Sequence, residues 1–110
     1  MKIDFSQLVK NIEGQPFQMM IEKEGKPEKK EMTLGMICVE ALGAQIPGEN
    51  VDGVEKFKRY QLIRKIFFGG ELELEPEDIV KIKDLVGKTG STAVVGPVWE
   101  ILNGKEDKAK

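Results

Sequence analysis

Residues Lys58 to Val86 read KRYQLIRKIFFGGELELEPEDIVKIKDLV: a helical repeat, a Gly-Gly break, a short alternating segment and a second, capped helix. No other stretch limits the fold so tightly. Two successive glycines end a helix because positive φ carries no side-chain penalty for them. Pro76 opens the next helix because the first turn has no use for the N–H that proline lacks. Upstream, Asp52 and Glu55, three apart, form a reciprocal cap for a helix running to about Phe68. On that helix Val54, Phe57, Tyr60, Ile63 and Phe67 recur at helical spacing, broadened by Leu62 and Ile66, so this stripe is expected to face the core. Glu71-Leu72-Glu73-Leu74 alternates with period two, the pattern of a few extended residues able to pair with another short strand. Ile79, Ile82, Leu85 and Val86 supply the buried side of the second helix. Glu75, Glu77 and Asp78 complement its positive end, and Gly87 reads as its left-handed stop.

The flanking segments are read against this unit. Asp4 with Gln7 resembles a capping box for a helix carrying Phe5, Leu8, Val9 and Ile12; the alternative is a strand. Gly14 and Pro16 make a turn in either case, and Phe17 to Ile21 suits a strand, so a hairpin-like N-terminus is preferred. Residues 22–31, EKEGKPEKKE, hold four Glu and four Lys and no apolar side chain to pin them to a core, and are expected to form a flexible charged loop. Thr33 caps a helix through Leu34, Ile37, Cys38, Ala41 and Leu42, which is apolar nearly all round and belongs in the middle of the fold. Near the C-terminus, Pro97 interrupts Ser91 to Asn103, so a kink there or a helix beginning at Pro97 is expected. The 105–110 tail is expected to be disordered.

At 110 residues the chain holds one core without cross-links, placed here in a single domain over 1–104. The fold class is mainly α (α+β): about four helices, a short N-terminal β-hairpin, and an EF-hand-like helix-loop-helix without calcium ligands. A calcium loop with Gly70 at its sixth position would put Lys65, Phe67 and Gly69 at the first three ligand positions and Pro76 where the bidentate Glu belongs. Gly87-Lys88-Thr89 imitates the end of a P-loop, yet the required earlier Gly is Ile82, inside a helix. The sequence has no His, and its one Cys, Cys38, lies in an apolar run, which leaves acid–base, nucleophilic and His/Cys metal chemistry without their usual groups. No enzyme activity and no cofactor are expected. A lone Cys fits a reducing compartment, and the absence of an apolar run of membrane length fits a cytoplasmic protein.

With a net charge of −2, nucleic-acid binding would need a local patch. The one basic cluster is on the 52–68 helix: Lys56, Lys58, Arg59, Arg64 and Lys65. It is followed by six acids against Lys81 and Lys83 over Glu71 to Asp84, so the two helices are expected to neutralise each other. Trp99, the only tryptophan, reads first as core and second as an interface anchor. The candidate interaction residues are therefore Lys56, Arg59, Arg64, Lys65 and Trp99.

Thr33-Leu34-Gly35 opening a helix, Glu55-Lys56 through Arg59-Tyr60, KIFFGGELELEPEDIVKIKDLVGK and VVGPVWEILN resemble small proteins of bacterial phages and prophages over about the last three-quarters of the chain. The resemblance implies genomic origin and carries no chemistry residue by residue. It points to a non-enzymatic protein that binds a phage or host protein in the bacterial cytoplasm, as an assembly factor, structural accessory or host-interaction protein, with self-association a further option. The competing class is a small nucleic-acid-binding regulator using the basic face of the 52–68 helix.

Overall fold

Thr33 starts the central helix: its hydroxyl accepts the Met36 N–H at 3.2 Å, and α1 runs over Leu34–Gly43. The structure is a computed structural model that describes residues 2–104; the tail expectation for 105–110 lies outside the described residues. Asp52 caps α2, Gly53–Phe67, by accepting the Glu55 N–H at 2.9 Å. Pro76 occupies the first turn of α3, Pro76–Thr89, and α4 spans Thr92–Leu102. Strands β1 (Lys2–Asp4), β2 (Gln18–Lys23), β3 (Lys26–Glu31) and β4 (Glu71–Glu73) complete a small α+β domain of four helices with a short antiparallel hairpin. As its apolar circumference requires, α1 is central, packing against both α2 and α3, and α4 packs on α3.

β4 pairs antiparallel with β1, with Ile3 opposite Leu72 and Asp4 opposite Glu71. The Gly-Gly turn makes this pairing possible. Gly69 and Gly70 both have positive φ, 74° and 84°; the Gly70 N–H donates to the Ser6 hydroxyl at 2.7 Å and the Gly70 carbonyl accepts the Phe5 N–H at 2.9 Å. A Cβ on Gly69 would stand 2.6 Å from Ser6 Oγ, so a larger residue there has to displace the Ser6 hydroxyl. The loop between α2 and α3 therefore anchors the N-terminus and carries Phe5 into the core.

Buried Phe5, Val9, Leu34, Cys38, Ile66, Leu74, Ile82, Leu85, Val98 and Leu102 form one cluster that joins the N-terminal segment to the four helices. It is aliphatic, with Phe5 as its only buried aromatic ring.

Several expectations are corrected. Residues 4–13 form no helix: Asp4 Oδ1 accepts the Ser6 N–H and the Gln7 amide donates back to the Asp4 carbonyl, a local turn that competes with helix. The hairpin-like N-terminus holds in a short form: Lys10 bridges Pro16 antiparallel, the Phe17 N–H donates to the Val9 carbonyl and the Asn11 N–H to the Gln15 carbonyl. Ile12 is consequently fully exposed while Val9 is buried. The charged stretch 22–31 is not a loop but the end of β2, its turn at Glu24-Gly25 and all of β3, in register from Gln18 opposite Glu31 to Lys23 opposite Lys26. Backbone pairing, together with the alternating Met19 and Ile21, builds this hairpin even though every β3 side chain is exposed. Gly87 is not the stop of α3, which continues to Thr89; an added Cβ at Gly87 would meet Trp99 Cζ2 at 3.2 Å, so the residue admits the indole. Pro97 lies inside α4, which begins at Thr92, and the carbonyl its missing N–H leaves free belongs to Ala93, an exposed residue that water can reach.

Candidate interaction surface

The two sides of α2 are the reverse of what its apolar spacing implies. Its inward seam is Glu55, Arg59, Leu62 and Ile66, separated by four, three and four residues. Only Leu62 and Ile66 are buried apolar residues. The other two positions are ionic. Arg59 Nη1 and Nη2 reach both carboxylate oxygens of Glu49 at 3.2 and 3.0 Å, a bidentate pair, and Nε reaches Glu55 at 3.0 Å. Glu55 in turn accepts from Lys81 of α3 at 2.8 Å, and Lys88 stands 3.9 Å from Glu49. The hydrogen bond from Arg59 holds the Glu49 carboxyl below its ordinary range, and the one from Lys81 does the same for Glu55. Arg59 is raised in return, chiefly by Glu49.

The outward seam is Val54, Phe57, Gln61, Arg64 and Phe68, alternating by three and four residues, with Tyr60 and Phe67 beside it. Val54, Phe57, Tyr60, Phe67 and Phe68 are 65, 57, 52, 66 and 88% exposed. The Phe57 and Tyr60 rings stack with centroids 6.4 Å apart, and Phe67 meets Phe68 edge-on at 5.3 Å. At roughly 200 Å² per aromatic residue, the open aromatic surface is on the order of 500 Å², at the upper end for a monomer. Lys56, Lys58, Arg64 and Lys65 lie exposed among or beside these rings. None of the four forms an ion pair among the described residues.

Two grooves border this face. One, of about 480 Å³, lies under the β2–β3 hairpin and is lined by Met19, Met32, Met36, Val39, Phe67 and Phe68, with Lys30 and Glu40 also on its wall. The other, of about 650 Å³, runs along the α1–α2 connection past Ile46, Pro47, Val51, Lys56, Tyr60 and Ile63, closed at one side by the Arg59–Glu49 pair.

The residues singled out from the sequence are thus divided. Lys56, Arg64 and Lys65 are all exposed on α2, Arg64 in the outward seam and Lys56 and Lys65, nine residues apart, at its opposite edges. Arg59 does not belong with them: its side chain is only 12% exposed and its donors are engaged. Trp99 lies elsewhere, on the α3–α4 junction; its Nε1 donates to the Lys83 carbonyl at 3.1 Å and Lys83 Nζ stands 4.8 Å over the ring. It is 36% exposed, so it clamps α4 to α3 with one edge in water. Mutual neutralisation of α2 and α3 takes the opposite sense from the one expected: the direct contact is an α2 acid with an α3 lysine, Glu55 with Lys81. Sequence reasoning missed Glu49, hidden in an apparent loop, and the Met-lined groove. The available signal was the Glu55/Arg59 pair at i,i+4, whose side points away from Phe57 and Phe68.

Cys38 is buried, and burial pushes its thiol up to about 12. Among the described residues no group of three or more His, Cys, Asp or Glu side chains is placed to hold a metal ion, and no helix is long and apolar enough to cross a membrane. No protein-family model, curated protein or solved structure matches the chain.

Proposed function

We propose that this protein acts by binding another protein, as a non-enzymatic phage or prophage factor in assembly, structural support or host interaction within the bacterial cytoplasm. The phage assignment rests on the sequence resemblance. The binding role is supported above all by the outward face of α2, where Phe57, Tyr60, Phe67 and Phe68 are more than half exposed in a chain whose core holds a single aromatic residue. Aromatic rings with an arginine among them are the composition of binding hot spots. A sequence without His and a thiol raised by burial offer little for catalysis.

A second reading, nucleic-acid binding, is favoured by the same interleaving of rings with Arg64, Lys65 and Lys56, since stacking platforms with basic side chains hold single strands. Against it, the engagement of Arg59 removes one cation from the surface. Affinity capture with chemical cross-linking from infected or lysogenic cells tests the first reading: a defined partner is expected with the native chain and lost with Phe57→Glu, Phe68→Glu. A salt-dependent gel shift abolished by Arg64→Glu, Lys65→Glu, with no captured protein, would establish the regulator instead.

A further inference from the structure

Granted the protein-binding role proposed above, on which this assignment rests, we infer that α2 docks an acidic amphipathic helix of a partner protein along its outward seam. The seam Val54, Phe57, Gln61, Arg64, Phe68 has the three-four alternation with which one helix reads another. Its ends are apolar and its centre, Gln61 and Arg64, is polar. A complementary helix therefore carries apolar residues at both ends and a carboxylate at the middle opposite Arg64.

Charge selects the occupant. The exposed ionised side chains of α2 are Lys56, Lys58, Arg64 and Lys65, all cationic, while its Glu55 is spent on Arg59 and Lys81. Asp52 at the N-cap and Glu40 on the adjoining groove wall are the nearby exposed acids, at the edges of the face. A second copy docked on the same face by a two-fold axis would set one Arg64 near the other inside a ring of lysines, an arrangement that like charges oppose. Nucleic acid would satisfy the cations but not the apolar groove that continues the seam beyond Phe67 and Phe68. That groove is walled mainly by Met19, Met32 and Met36, soft side chains that adapt to apolar ligands, with Lys30 as the one basic side chain on its wall. The four rings in and beside the seam present on the order of 500 Å², and the groove extends them toward the roughly 800 Å² per partner of a specific interface. Electrostatic steering by the cations and anchoring by the rings then act on one ligand.

The test uses fluorescence anisotropy of the full chain with three labelled probes. The first is a helical peptide of about 15 residues, the length of α2, built from Leu at the outer seam positions, Glu at the central one and Glu around them. The second replaces every Glu by Lys, and the third is a single-stranded oligothymidine of about 20 nucleotides. Saturable binding of the Glu peptide is expected, with the Lys peptide at least tenfold weaker. Arg64→Glu, Lys65→Glu and, separately, Phe57→Ala, Phe68→Ala should each weaken the Glu peptide by on the order of tenfold or more, with unchanged circular dichroism. Equal binding of both peptides, failure of either variant to weaken binding, tighter binding of the oligonucleotide than of the Glu peptide, or a dimer by sedimentation that Phe68→Ala dissociates would each overturn the inference. A partner captured from cells and retained by the Arg64→Glu, Lys65→Glu variant would overturn it too while leaving the protein-binding role intact.

Discussion

α2 and α3 are nearly equal in length, 15 and 14 residues, and lie against the same central helix, yet they use their apolar side chains in opposite ways. In α3, Ile79, Ile82, Leu85 and Val86 are all buried and only Val80 is left to solvent. In α2 just Leu62 and Ile66 are buried, Ile63 is half-buried, and Val54 with three aromatic residues faces outward. α3 spends its hydrophobicity on folding. α2 attaches with two aliphatic residues and an ionic seam, which leaves the larger apolar residues for something outside the chain. An exposed ring gains little for the isolated fold, and under the binding role proposed above it is the surface a partner would meet.

The contrast breaks most readily at the two anchors. Ile82→Ala and Ile66→Ala, both at fully buried sites, are each expected to destabilise by about 2 to 5 kcal/mol in urea unfolding. A near-neutral Ile66→Ala would mean that the inner side of α2 is not what holds it. Next in size is the turn that follows α2: Gly69→Ala is expected to cost about 1 to 3 kcal/mol, from positive φ and the Ser6 contact together. Gly70→Ala, with positive φ but open space, should cost less, about 1 kcal/mol. Equal losses would remove the Ser6 contact from the explanation.

The ionic seam makes a pH prediction. Glu49 and Glu55 are lowered in the folded state from an ordinary value of 4.5, so their contribution is complete above that value and lost as pH falls through their folded values. Stability should decline below pH 4.5 in the native chain and decline less steeply in Arg59→Met, which starts lower at neutral pH. Parallel pH profiles would show the seam to be energetically idle, as partly exposed pairs often are. Smallest of all, Phe57→Ala and Phe68→Ala should change stability by no more than about 0.5 kcal/mol. A loss of 2 kcal/mol or more would place those rings in the fold and dissolve the contrast.

Much of this organisation is legible in the residues. The caps at Thr33 and Asp52, Pro76 at the start of α3, the Gly-Gly break and the four-residue alternation after it each mark an element through local chemistry. α3 was also read correctly in its burial, since it has a single apolar side. α2 was not, because its aromatic residues and its aliphatic pair occupy different sides of the helix, and periodicity reports that a stripe exists without saying what lies opposite it. The hairpin over 22–31 escaped notice for a related reason: its side chains are polar throughout, and what orders it is pairing between backbones, which no hydropathy pattern records. Of the candidate residues, Lys56, Arg64 and Lys65 are exposed and Arg59 is turned inward onto Glu49 and Glu55, while Phe57, Tyr60 and Phe67, expected in the core stripe, are exposed.

By itself the sequence determined the helix starts at Thr33, Asp52 and Pro76 and the Gly-Gly turn, because each depends on residues close together in the chain. The tertiary structure alone decided which side of α2 meets α1, that Glu49 takes Arg59, and that β4 meets β1 so that Gly70 holds Ser6. Those outcomes depend on partners from ten residues away, as for Glu49 and Arg59, to seventy-one, as for Lys2 and Glu73, where several arrangements satisfy the same local pattern and only packing and charge pairing choose among them.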